Sequence, residues 1–127
     1  GILPSNEGKV FNNSIYSDGG TGQGINQGTS AVMTVCANNV VEGFSGAGGV
    51  GFYASLLDAG YKYFGGNAAY NNNVNYGGPQ TETVLDLGDN EVLTESAFTD
   101  AANGDFSPKD VGNMKEGGLG NTIGSNI

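Results

Sequence analysis

The chain has 127 residues, room for one domain with one modest core. Of these 24 are Gly, Asn is heavily used, and His, Trp and Arg are absent, so the four basic residues are all lysines. A formal charge of −9 without any basic stripe opposes binding to nucleic-acid phosphates or anionic membranes, and the lack of His removes Ser-His catalysis and His-ligated zinc.

The predicted elements are short. Gly and Asn tolerate left-handed backbone and are poor in helix interiors, so frequent tight turns and an all-β chain are expected. The start, Gly1-Ile2-Leu3-Pro4, carries neither Met nor a signal-peptide pattern, and no run of about 18 apolar residues follows anywhere. Val10, Asn13 and Ile15 form the first copy of a recurring pattern, an apolar residue three before an Asn and an apolar or small one two after it. Gly24-Ile25 reads as a strand piece. Cys36, Asn39 and Val41 make the second copy, followed by the strand-like Val50-Gly51-Phe52-Tyr53. Phe64, Asn67 and Ala69 make the third, followed by Val74-Asn75-Tyr76 and Thr83-Val84-Leu85. Leu87, Asn90 and Val92 make the fourth, and the intervals between the asparagines are 26, 28 and 23 residues.

Periods of that length indicate a solenoid, in which each unit buries its apolar face only by stacking on the next. A carboxamide both donates and accepts, so Asn13, Asn39, Asn67 and Asn90 are expected to form a hydrogen-bonded structural ladder. Unequal intervals place insertions at one corner, where a solenoid usually carries its binding loops.

Residues 96–106, with Phe98, Asp100, Ala101, Gly104, Asp105 and Phe106 at the key positions, resemble the Pro-x-Phe-x-Asp-Ala-x-x-Gly-Asp-Phe/Tyr closing motif of bacterial and phage right-handed parallel β-helix (pectate-lyase-like) proteins. Ser96-Ala97 replaces the usual Asp-Pro lead-in, and Ser107-Pro108-Lys109-Asp110 only partly echoes the family's continuation. The four repeat copies are read as about four coils over residues 1–106, and the resemblance implies that Phe106 seals the coil end. Residues 107–127 are then expected to be an irregular C-terminal extension.

Several constellations bear on chemistry. Cys36 is the only cysteine, which rules out an intrachain disulfide, and its apolar neighbours predict a small buried side chain. Gly46-Ala47-Gly48-Gly49-Val50-Gly51 matches a dinucleotide-binding turn in form and precedes helix-compatible residues 52–60. It lacks both a buried strand before it and an acidic residue about 20 positions on. Asp58, Asp86, Asp89, Glu91 and Glu95 are the carboxylates, and Lys62 the central base, that a glycan-cleaving groove would use; solvated turns are the plainer use of them. No calcium-loop spacing is present. Tyr53, Tyr61, Tyr63, Tyr70 and Tyr76 are candidates for stacking on a glycan or partner.

The sequence is therefore read as an all-β, right-handed parallel β-helix segment with no catalytic residues, metal or cofactor. It is expected in an extracellular, cell-surface or virion setting, as a homo-oligomer or part of a longer chain. The rival is a glycan-binding or glycan-cleaving domain of the tailspike or depolymerase kind.

Overall fold

A computed structural model of the chain describes residues 1–2, 8–26, 33–53, 63–78 and 90–111. The strands are β1 (Gly8–Phe11), β2 (Ser14–Tyr16), β3 (Gln23–Asn26), β4 (Met33–Ala37), β5 (Val40–Glu42), β6 (Val50–Tyr53), β7 (Tyr63–Gly65), β8 (Ala68–Tyr70), β9 (Val74–Gly77), β10 (Glu91–Val92), β11 (Phe98–Asp100) and β12 (Asp105–Pro108). A 3-10 turn, Ala101–Asn103, joins the last two.

The topology is nearly all-β and largely parallel. Strands three apart in the chain pair side by side, except that β10 follows β8 directly in its sheet, giving a first sheet β1-β4-β7, a second sheet β2-β5-β8-β10 and a third sheet β3-β6-β9. β11 and β12 pair antiparallel as a separate hairpin. The register aligns Val10 with Cys36 and Phe64, Ile15 with Val41, Ala69 and Val92, and Ile25 with Phe52 and Tyr76. Ile2 adds a parallel pairing beyond Ile25.

Apart from the exposed Val92, these aligned residues make the main core, with Phe44 packed among them. Close packing requires the layers to trade volume. Cys36 and Val41 leave room for Phe52 in the second layer, whereas Phe64 and Tyr76 in the third are balanced by Ala69. The rings lock together: Phe52 stacks on Tyr76 with centroids 5.1 Å apart, and Phe64 meets Phe52 edge-on at 5.9 Å.

The second sheet is covered on both faces. Successive strand residues point to opposite sides, so Val41 and Ala69 enter the main core while Val40 and Ala68 enter a second cluster with Leu93, Ala97, Phe98, Ala101 and Val111. For this reason β5 reads Val-Val-Glu with all three residues buried, as doubly covered strands do.

Tight corners set the path. Asn12 and Asn38 (both φ 58°) and Gly66 (φ 64°) are left-handed and immediately precede Asn13, Asn39 and Asn67. Asn suits this conformation better than most residues. Gly43 (φ 87°) is more constrained still, because a Cβ there would lie 1.8 Å from the Ser17 carbonyl oxygen one layer away.

The strand expected at Val50–Tyr53 is present, whereas the closing segment meets a different arrangement. Val50–Tyr53 is a strand, so the Gly46–Gly51 run turns into β6 and no helix N-terminus stands over its glycines. The closing segment lies on the outer face of the second sheet, against Val40, Ala68 and Tyr16, where Phe106 is 47% exposed and meets Tyr16 and Phe98 edge-on. The physical reason is that Val40 and Ala68 on the outward faces of β5 and β8 are apolar and need a cover, and the Glu42 carboxylate beside them needs donors. The expected boundary at residue 106 falls within β12, and Val111 still belongs to the cluster beneath the hairpin. Residues 112–127, and with them most of the expected extension, lie outside the described residues.

Candidate functional site

Asn13, Asn39, Asn67 and Asn90 stand in one row at the corner between the first and second sheets. Asn13 Nδ2 donates to Asn39 Oδ1, Asn39 Nδ2 to Asn67 Oδ1, and Asn67 Nδ2 to Asn90 Oδ1, each at 2.9 Å. Each acceptor also takes the main-chain N–H of the preceding asparagine, at 3.1, 3.1 and 3.3 Å. The second Nδ2 hydrogen reaches back to a carbonyl one layer earlier, Val10 O for Asn39 (3.1 Å) and Cys36 O for Asn67 (3.0 Å). A carboxamide offers two donors and two acceptor sites, and Asn39 uses all four inside the protein. Asn39 and Asn67 are fully buried, so unmade bonds there would carry the full desolvation cost.

Cys36 packs beside the row, fully buried, with Asn39 Nδ2 3.5 Å from its Sγ. Burial pushes its thiol pKa well above the usual range, more than offsetting the Asn39 hydrogen bond that lowers it. Cys36 is therefore an inert thiol at neutral pH.

The five candidate tyrosines separate. Tyr76 is turned into the main core, its ring on Phe52 and its hydroxyl donated to Glu91 O at 2.7 Å, with Asn67 O at 3.2 Å. Burial, then the charges of Cys36 and Glu91, drive its pKa up. Tyr53 ends β6 half-buried, Tyr63 lies in β7, and Tyr70 ends β8 against the second cluster. Tyr61 lies outside the described residues, as do Leu87, Asp58, Asp86, Asp89 and Lys62. Of the remaining candidate acids, Glu91 lies in β10 and Glu95 pairs with Lys109 at 3.7 Å in an exposed contact. Among the described residues no three His, Cys, Asp or Glu side chains converge as a metal site, and no helix is long and apolar enough to cross a membrane.

Two polar residues without a distinctive sequence signal organise the structure. Asn72 bridges layers, accepting from Phe44 N and donating to Val41 O and Asn75 Oδ1, all at 3.0 Å. Glu42, only 2% exposed, anchors the hairpin: Oε1 accepts the Ser96 hydroxyl at 2.7 Å and Oε2 accepts the Ala97 N–H at 3.0 Å. A proline at position 97 would lack that N–H, so the Ser96-Ala97 lead-in and Glu42 fit each other. The doubled Asn and Gly-Asn corners are visible in sequence, whereas nothing local to Glu42 marks a carboxylate that turns inward.

Within the hairpin, Gly104 closes the 3-10 turn at φ 85° and donates to Ala101 O at 3.0 Å. Asp105 Oδ1 accepts Ser107 N at 2.9 Å, and hydrogen bonds from Ser107 lower its pKa. Thr99 donates across to Ser107 O at 3.1 Å, and Lys109 N reaches Ala97 O at 2.8 Å.

Between this hairpin and the outer face of the second sheet runs a cleft of about 250 Å³ lined by Tyr16, Glu42, Tyr70, Asn71, Thr99, Asp100 and Lys109 over a floor that includes Phe98. Tyr16 and Tyr70 flank Glu42 in register, one strand to either side. Burial, then Asp18, Glu42 and Asp100, raise the Tyr16 pKa, so its phenol stays neutral at physiological pH. Compared with known proteins, the chain matches no family model, no curated protein and no solved structure.

Proposed function

We propose that the chain is a segment of a right-handed parallel β-helix with a structural or adhesive role, assembling with like subunits or within a longer chain outside the cell, at a cell surface or in a virion. The observation that carries this reading is the carboxamide row, with 2.9 Å bonds joining Asn13, Asn39, Asn67 and Asn90 in succession. A row of buried amides that satisfy one another contributes rigidity and a unique register, and it leaves no reactive group for chemistry. The ends of the stack support assembly: β1 and β2 are edge strands among the described residues, and Val92, in register with the main core, is 60% exposed. Such edges and apolar ends need a cover. The likeness of residues 96–106 to the β-helix closing motif points the same way.

Light scattering on the purified chain in dilute solution, with circular dichroism on the same sample, tests the reading. A β-rich multimer is expected. A folded monomer would overturn self-assembly and favour a self-contained glycan-directed domain, and a helix-rich spectrum would overturn the β-helix itself.

A further inference from the structure

We propose that the cleft between the β11–β12 hairpin and the outer face of the second sheet binds one ring of a neutral sugar, with the hydroxyls of Tyr16 and Tyr70 and the carboxamide of Asn71 as its polar contacts. Size comes first. At about 250 Å³ the cleft is smaller than the roughly 300 Å³ at which pockets for drug-sized ligands begin. It holds a single ring, and because it is a cleft and not a closed cavity, the rest of a glycan has a way out.

The lining then selects the chemistry. Neither the Tyr16 nor the Tyr70 hydroxyl, nor the Asn71 side chain, hydrogen-bonds to any described residue, although the other polar groups around them are engaged: Glu42 by Ser96 and Ala97, Asp100 by Asn103, and Lys109 by Glu95. Phenols and carboxamides both donate and accept. A ligand that satisfies several such groups around an apolar floor must carry alternating donors and acceptors on a compact ring, as a polyol does. Aromatic rings with polar tips suit that purpose.

Charge narrows the class further. Asp18, Glu42 and Asp100 all act on Tyr16, and Lys109, which is the only lysine lining the cleft among the described residues, is paired with Glu95. An acidic sugar or a phosphate would meet uncompensated negative charge, so the ligand is uncharged. This site does not depend on the chain being a β-helix or on its assembly, so it stands or falls separately from the proposal above.

The test is an NMR titration of the intact, isotope-labelled chain with glucose, galactose, mannose and N-acetylglucosamine, and with glucuronate as the anionic control. At least one neutral sugar is expected to shift the amide signals of Tyr16, Tyr70, Asn71 and Thr99, with a dissociation constant on the order of millimolar, and glucuronate is expected to bind more weakly. Tyr16→Phe and Tyr70→Phe, which keep the rings, are each expected to weaken binding about three- to tenfold with an unchanged melting temperature. Asn71→Gly supplies a third variant that spares the fold, because it removes an exposed carboxamide and still accepts the left-handed backbone there (φ 49°). Absence of cleft shifts with all four neutral sugars, equal binding by all three variants, or tighter binding of glucuronate would each overturn the proposal.

Discussion

At the corner between the first and second sheets, Asn39 makes its four side-chain hydrogen bonds with groups on the neighbouring layers. On the outer face of the second sheet, Glu42 instead finds its two donors 54 and 55 residues further along the chain. Both side chains are buried and polar, and both are satisfied. The row is repeated, so Asn39 and Asn67 each support two other asparagines and a failure at one position propagates. The hairpin anchor occurs once and joins a separate antiparallel unit to a face that is already paired. Repetition therefore yields cooperativity, whereas the single anchor yields a locally detachable cover.

The most damaging way to break this comparison is Asn39→Asp. It removes both amide donors and sets a buried charge against Asn67 Oδ1, and it is expected to cost about 3–5 kcal/mol in urea unfolding. The loss should be global, with amides throughout the first three layers losing exchange protection together. A cost below about 1 kcal/mol would show that the row does not couple the layers.

Glu42→Ala comes next, at about 1–3 kcal/mol, because it leaves the buried Ala97 N–H without its acceptor. Its effect should be local. Hydrogen exchange at Ala97, Phe98 and Lys109 is expected to accelerate while Cys36 and Val41 stay protected, and Glu42→Gln, which retains one acceptor oxygen, should fall between. Loss of protection at Cys36 to the same degree would erase the distinction between the two regions.

Alkali sharpens the contrast from the core side. Cys36 and Tyr76 have folded-state pKa values raised by burial, so above the unfolded values of about 8.5 and 10 the unfolded chain releases protons that the folded chain retains. Their contribution is fully present at neutral pH, and stability should decline as pH rises through that range. Cys36→Ala should delay the onset of the decline toward the tyrosine range. A flat urea midpoint from pH 8 to 10.5 in the parent chain would contradict the burial of both groups.

The smallest effect belongs to the exposed hairpin. Asp105 has a lowered pKa through its bonds with Ser107, so its contribution is present above the ordinary aspartate value of about 3.9 and is lost as pH falls through the folded-state value. Asp105→Asn should remove that part of the acid sensitivity. The exchange rate of the Ser107 amide below pH 4, measured in both proteins, reports it.

Much of the repeating part is legible in the sequence alone. The spacing of apolar residues around Asn13, Asn39, Asn67 and Asn90 marks the positions that pair as Val10, Cys36 and Phe64 on one face and Ile15, Val41, Ala69 and Val92 on the next. The strand pieces at Gly24-Ile25, Val50–Tyr53 and Val74–Tyr76 form the third sheet, because alternation and turn residues are local signals. Tyr76 is harder to place: a tyrosine in a short strand reads the same whether its ring meets solvent or, as here, Phe52. The cleft is hidden for a related reason, since Tyr16 and Asp100 come together only when the hairpin folds back over the sheet.

Sequence by itself determined where the chain turns and which residues recur, since left-handed Asn and Gly corners and the intervals between carboxamides are properties of neighbouring residues. The tertiary structure alone decided that the second sheet is covered on both faces, that Glu42 and not a surface acid anchors the hairpin, and how Phe64, Ala69 and Tyr76 share one layer. Those outcomes depend on volumes and donors supplied by residues distant in the chain, and close packing admits them only together.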